Sequence, residues 1–281
     1  MMTPSKRPGY RTFAFHVLAI SIALIFALPT LWVVAVSLRQ PGMPPARTIE
    51  WLPNPIVWTN YIQVFELVPL GRYVFNSLLV AGLAVPLTLI IASWAAFAMA
   101  QLPPRLRYTL LALAVALRMV PITALWLTRF LVLKELHLID TFAALLAPVW
   151  MGSSPFFVMI LYWSFRRIPP ALIDSARLDG LGALGIWARI ALPLARPAIV
   201  AVGVLTFVQY WSDFINPLLY LKSEQRYTLS VGLRMLQQLD ATNWPLLMAG
   251  VVIMMLPIMG LFVLVQRAFL AEGRIAGVYG N

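Results

Sequence analysis

The sequence predicts an all-α integral membrane protein with six transmembrane helices. Three observations carry that prediction. Of the 281 residues 61% are hydrophobic and only 11% charged, against about 25% charged in an ordinary soluble chain. The apolar stretches are long enough to cross a bilayer. They do not alternate residue by residue, so they read as helices rather than barrel strands, the two forms that satisfy the backbone in lipid. The formal net charge of +11 would suggest nucleic acid for a soluble protein. In this composition it reads as basic loops held against an anionic leaflet, with membrane lipid as the partner and no nucleic acid. There are no cysteines, which excludes disulfides, thiolate metal sites and a cysteine nucleophile.

A hydrocarbon core about 30 Å thick needs roughly 20 residues of helix. Spans are expected at about 12–38, 76–101, 108–133, 141–165, 197–221 and 244–266, within one transmembrane domain over 1–281. Lys6, Arg7 and Arg11 precede the first run, which exceeds a signal-peptide core and reads as an uncleaved helix. The third span carries Arg118 and Arg129, and Asp213 interrupts the fifth. Twelve loop Lys and Arg residues fall on the side of both termini and seven on the other, which predicts cytoplasmic termini. The outer segment 39–72, rich in Pro, Trp and Asn, is expected to form a cap with little regular structure. Pro121, Pro148, Pro155, Pro217 and Pro257 interrupt spans and are candidate kinks. Ala92, Ala96 and Ala100 form a small-residue face that permits close helix packing.

The longest inner connection, 166–196, is the most informative. Pro169 and Pro170 suit a helix start, and Asp174 is expected near the positive end of that helix's dipole. Gly180 can take the left-handed turn that stops a helix. A second helix fits Ala183 to Leu192, with Leu184, Trp187, Ile190 and Ala191 on one face. Two short helices hinged at a glycine would present a compact knob to a cytoplasmic partner. An amphipathic pair resting at the headgroups is the other reading of the same pattern.

The loop resembles the signature of binding-protein-dependent ABC permeases: EAA, three residues, G, nine residues, I, one residue, LP. Asp174-Ser175-Ala176 stands in the EAA position, Arg177, Leu178 and Asp179 precede Gly180, nine residues separate Gly180 from Ile190, and Leu192-Pro193 closes the pattern. Every spacing agrees; the departures are Asp174 for Glu, Ser175 for Ala, and Leu181-Gly182 where the family has a small residue followed by a variable one. Phe75-Asn76-Ser77, Arg118-Met119-Val120-Pro121, Trp211-Ser212-Asp213-Phe214 and the tail from Glu272 to Gly280 resemble the carbohydrate-uptake branch, with the maltose-type second permease subunit as its type. The resemblance implies a permease of the bacterial or archaeal cytoplasmic membrane that imports a sugar or sugar-like solute. It also implies three kinds of partner: a second homologous permease, two ABC ATPase subunits and an extracytoplasmic solute-binding protein. The loop between spans 4 and 5 would be the coupling-helix loop. Its ATPase-coupling residues would be Asp174, Ser175, Ala176, Asp179, Gly180, Ile190, Leu192 and Pro193. The chain has no Gly-x-x-x-x-Gly-Lys phosphate loop, so it is expected not to be an enzyme and to receive its work from a separate ATPase.

Candidate translocation-path residues are Asn76, Arg118, Tyr210, Trp211 and Asp213. A carboxylate inside a span is expected to face protein or a watery path. Asp213 therefore reads either as a path residue beside the rings of Tyr210 and Trp211, or as a structural acid paired with Arg118 or an outer loop. Asn76 reads as a path residue or as a hydrogen bond across helices, and Arg129 as a snorkelling residue near a helix end. His16 and His137 are isolated, so no metal or cofactor is expected. The competing readings are an ion-coupled secondary transporter, an intramembrane protease built on Gly152-Ser153-Ser154, and a non-transporting membrane scaffold. The first lacks intramembrane carboxylates beyond Asp213, the second lacks the spacing of a serine elbow, and the third leaves the loop signature unexplained.

Overall fold

The computed structural model describes residues 9–44, 50–150 and 154–276. Lys6, Arg7, Arg47, the Gly152-Ser153 pair and the tail Gly277-Val278-Tyr279-Gly280 lie outside the described residues. Among those described, all regular structure is helical, the fold class expected. Three helices are by themselves long and apolar enough to cross a membrane, at Thr12–Ser37, Leu70–Gln101 and Trp244–Gln266. Three bent pairs qualify jointly, which brings the number to six.

The chain divides into two compact units, residues 1–69 with 233–255, and 70–232 with 256–281. The first contains α1 (Gly9–Ser37) and α2 (Asn60–Leu67). Phe13 and Phe26 of α1 are 72% and 78% exposed, an arrangement that suits hydrocarbon and not water. The 39–72 segment, expected to lack regular structure, contains α2. Its first residue, Asn60, is fully buried and donates to the carbonyls of Ser37 at 2.8 Å and Arg39 at 2.7 Å. That amide satisfies carbonyls left open at the end of α1.

The second unit is built around α3 (Leu70–Gln101), which packs against α11 (Arg196–Trp211), α7 (Pro155–Phe165) and α6 (Phe142–Trp150). Ala81, Ala84, Ala92 and Ala96 on α3 are fully buried, so the small-residue face does bring backbones close. The third and fourth expected spans are each two helices, as is the fifth, 197–221, which is α11 followed after a break by α12 (Ile215–Tyr220). α4 (Pro104–Met119) and α5 (Trp126–Glu135) meet at 85° through a short 3-10 turn, Ile122–Leu125, and α6 and α7 meet at 43°. Proline explains both breaks. Val120 before Pro121 and Ser154 before Pro155 are extended, with ψ of 120° each, because a following proline ring disfavours the helical conformation. Pro86 and Pro257, by contrast, lie inside the continuous helices α3 and α14 (Trp244–Ala276). The remaining helices are α8 (Pro170–Leu178), α9 (Ala183–Ile186), α10 (Leu192–Leu194) and α13 (Leu229–Leu239).

The connections after α5 and α12 are tied together by Asp140. Its carboxylate accepts from the N–H groups of Lys222 at 2.9 Å and Ser223 at 3.0 Å, from the Ser223 hydroxyl, and from the Arg226 guanidinium at 2.7 Å. Burial alone would raise its pKa. The Ser223 hydroxyl and N–H, the Lys222 N–H and Arg226 together outweigh burial and hold the carboxyl at about 2. Because the folded value lies below the ordinary one, this stabilisation is complete above about pH 4 and is lost as pH falls toward 2. Asp140→Asn is expected to lower the melting temperature at pH 7 through a loss of stability on the order of 2 kcal/mol, the size of a charge-assisted hydrogen-bond set. It should also flatten the pH dependence between 4 and 2. Identical melting of the two proteins at pH 7 would remove Asp140 from any stabilising role.

Candidate functional site

The 166–196 loop folds as the two-helix knob its spacing suggests. α8 begins at Pro170 after an extended Pro169. It ends in a Schellman closure: the N–H of Gly180 donates to the Arg177 carbonyl and the N–H of Leu181 to the Ala176 carbonyl, both at 3.0 Å. Gly180 has φ of +85°, the left-handed turn expected of it. The second half, α9 and α10, contains a π turn at Trp187–Ala191. That turn changes the buried face. Leu184, expected on it, is 63% exposed, whereas Ile186 and Ala191 are 2% and 1% exposed. A π turn places residues five apart on one side, so Ile186 takes the place that a 3.6-residue period assigns to its neighbours.

Asp174 lies in the second turn of α8, with no acid in the first. It is not at the dipole's end. It pairs at 3.2 Å with exposed Arg177, which also donates to Gln101 Oε1 at 3.0 Å; the helix start at Pro170 is what places it beyond the first turn. Ser175 donates back to the Ala171 carbonyl at 2.8 Å. Ala176 is buried, Asp179 and Pro193 are exposed, and Ile190 and Leu192 are half-buried. Trp187 donates to Ser93 Oγ at 3.2 Å and lies edge-on to Trp94. The inner face of the knob, with Ile173, Ala176, Ile186 and Ala191, shares one apolar cluster with Ala92 and Ala96 of α3 and Leu161 and Phe165 of α7. Any displacement of the knob is therefore carried into the helix core, because a packed cluster moves as a body. Its opposite face leaves Leu178 89% exposed, beside exposed Leu172 and Leu184.

A second feature lies where three helices are interrupted. The α4–α5 break, the α6–α7 break and the end of α11 converge on one cavity of about 260 Å³. Irregular backbone at membrane depth is tolerated where it lines such a cavity. Arg118, Arg129, Gln209, Tyr210, Asp213 and Asn216 contribute its polar lining, and Phe157 and Leu145 part of its apolar lining. Three of the five path candidates, Arg118, Tyr210 and Asp213, are brought together here. The other two are not. Trp211 is 1% exposed and stacks on Phe207 at 10° between planes, so neither face is offered to a solute. Asn76 donates to the carbonyls of Gln225 and Tyr227, both at 2.9 Å, which is the cross-segment hydrogen bonding also considered for it. Asp213 does not pair with Arg118. Its two oxygens take the Asn216 side-chain amide at 2.7 Å and the Asn216 N–H at 3.3 Å, while Arg118 lies over the Phe156 ring at 5.6 Å. Arg129, expected to snorkel, lines the cavity instead. Sequence reasoning missed Arg129, Gln209 and Asn216 as lining residues. The available signal was that Arg129 lies three turns beyond Arg118 in an otherwise uncharged run, with the Pro121 break between them.

Residues 88–271 match the family described as binding-protein-dependent transport system inner membrane component. The chain belongs to this family. It is a multi-pass permease component of an ABC-type transport system, and the ion-coupled, protease and scaffold readings fall away. It is 30% identical to the sulfoquinovosyl glycerol transport system permease protein SmoH of Agrobacterium fabrum, over 100% of both chains. It is also 30% identical to the arabinooligosaccharides transport system permease protein AraQ of Halalkalibacterium halodurans, over 92% of this chain and 93% of that one. In fold it is similar to a chain of a bacterial ABC transporter involved in the import of the acidic polysaccharide alginate. There the TM-score is 0.73 at 21% identity, over 95% of this chain and 100% of the other.

Proposed function

We propose that this permease is one of a pair that moves a sugar or sugar-like solute inward across the cytoplasmic membrane, with ATP hydrolysed on two separate subunits. The observation that carries the reading is the knob at 170–194, apolar and exposed on one face and continuous with the α3–α7 core on the other. Asp174 to Pro193 would dock in a cleft of the ATPase. Leu178 and Leu184 would enter it from either side of the Gly180 turn, with Asp174, Ser175 and Asp179 on its polar rim. Closing and opening of the ATPase pair would rock the cluster, and with it the helices around the cavity. Both termini and the knob would face the cytoplasm, as the Lys and Arg distribution favours. An external solute-binding protein would deliver cargo on the far side.

The sugar assignment is supported by relatives named for glycosides and by a cavity that mixes hydrogen-bonding groups such as Gln209, Tyr210 and Asn216 with the ring of Phe157, the mixture of polar and aromatic surface a carbohydrate needs. Purification of the full chain from its native membrane in mild detergent, followed by mass spectrometry, tests the assembly. A Walker-motif ATPase and a second six-helix permease are expected in stoichiometric amounts. Recovery of the chain alone, repeated after gentle cross-linking, would overturn the proposal.

A further inference from the structure

We infer that the cavity selects a sugar derivative bearing an acidic group (carboxylate, sulfonate or phosphate), with Arg129 and Arg118 as its specificity-determining residues. The inference rests on the permease reading and concerns the substrate class of that same cavity.

The cavity is lined by two guanidinium groups and one carboxylate, Arg118, Arg129 and Asp213, so it carries one positive charge in excess. Arginine is always charged in proteins, and cationic side chains at membrane depth are costly unless an anion or water answers them. Among the described residues the ion pairs are Arg39 with Glu50, Arg177 with Asp174 and Arg226 with Asp140. Neither cavity arginine is in one. Asp213, which accepts from Asn216 and lies within electrostatic reach of Arg129, offsets one of the two charges and leaves the other without an anion.

A neutral sugar would answer none of this. It would leave the excess positive charge facing only neutral hydroxyl groups, each of which accepts a single hydrogen bond from a guanidinium. A planar or tetrahedral oxyanion can accept the paired N–H donors of a guanidinium, the geometry for which arginine is used in phosphate and carboxylate recognition. The rest of the lining suits the remainder of a sugar. The amide side chains of Gln209 and Asn216 belong to the lining and supply hydrogen-bonding groups for sugar hydroxyls. Phe157 offers apolar surface. The volume, about 260 Å³, is below the roughly 300–1,000 Å³ of sites that enclose drug-sized ligands, so it suits a group of monosaccharide size. The two arginines are not equivalent. Arg118 is exposed and lies over the Phe156 ring, whereas Arg129 is half-buried in the lining beside Asp213, which makes it the stronger candidate for the direct contact.

The test uses the whole transporter with its co-purified partners, reconstituted in lipid nanodiscs. Binding to the complex is measured for matched probes: methyl glucuronide, glucose 6-sulfonate and glucose 6-phosphate against methyl glucoside and glucose. At least one acidic probe is expected to bind roughly tenfold or more tightly than its neutral counterpart, the size of one charge-assisted hydrogen bond. Arg129→Gln is expected to erase that preference, Arg118→Gln to reduce it, and Arg129→Lys to restore part of it. Stoichiometric recovery of the ATPase with each variant shows that the complex is assembled. Preference for a neutral probe, no binding of any acidic probe, or an acidic preference unchanged in both glutamine variants would overturn the inference. All three outcomes leave the permease reading standing as long as the ATPase co-purifies. Loss of the ATPase from the wild-type preparation would instead strike that reading.

Discussion

Gly180→Val is expected to abolish uptake while the chain still inserts in the membrane at normal levels. Gly180 has φ of +85°, and a Cβ built there meets nothing within 4 Å. The obstacle is therefore the conformation itself and not crowding. A left-handed backbone costs an ordinary residue roughly 1–2 kcal/mol, and a β-branched one more. That is too little to unfold the core, yet enough to reopen the two hydrogen bonds that close α8 on Leu181 and Gly180. Without that closure the direction from α8 into α9 changes, and exposed Leu178 and Leu184 lose their relation. Gly180→Asn provides the control, since asparagine visits the left-handed region more readily, and should retain most of the uptake. The measurements are membrane level, ATPase co-purification and cellular uptake. Normal uptake by a well-inserted valine variant would remove the knob from the coupling mechanism.

Gly232→Ala is expected to destabilise the protein severely, by a different route. An alanine Cβ at this position would lie 2.1 Å from Tyr73 Cδ2 and under 3 Å from two further ring atoms. Tyr73 has nowhere to go. It is fully buried, and its hydroxyl donates to Glu224 at 3.1 Å. Its neighbours on α3, Asn76 and Ser77, hold the same following segment through the carbonyls of Gln225 and Tyr227 and the N–H of Leu229. Overpacking of this kind costs about 1–3 kcal/mol in ordinary cores, and a clash this close, against a ring held by a hydrogen bond, belongs at or above the top of that range. A thermal melt in detergent followed by size exclusion reads the loss directly. In a Tyr73→Ala background the same Gly232→Ala change should cost far less, because the ring it strikes is gone and the two changes are non-additive. An unchanged melting temperature for Gly232→Ala would show that the ring does not pack there.

The knob shows why parts of the site were readable from residues. Pro169, Pro170 and Gly180 act through their own backbone preferences, so start and stop survive any tertiary context. Leu184 and Ile186 show the opposite case. Their exchange of faces follows from a π turn, which no period of 3.6 anticipates. Asp174 falls past the positive end of the dipole because α8 begins at Pro170 and Asp174 is already in its second turn. Trp211 is aromatic and polar at one edge, as a stacking platform would be, but its ring was already used by Phe207.

By itself, then, the sequence determined whatever depends on one residue or a short run: apolar length sets the membrane helices, proline and glycine set helix ends, and the spacing from Asp174 to Pro193 marks the family. The tertiary structure alone decided which distant groups share a space. Arg118, Arg129, Tyr210, Asp213 and Asn216 come from four helices, α4, α5, α11 and α12, and the turn before the last of them. They meet because proline breaks at two places, and the end of α11 at a third, turn these segments toward one cavity. The direction of a break depends on how the flanking helices pack, and the packing energy that selects it is spread over contacts far apart in the chain.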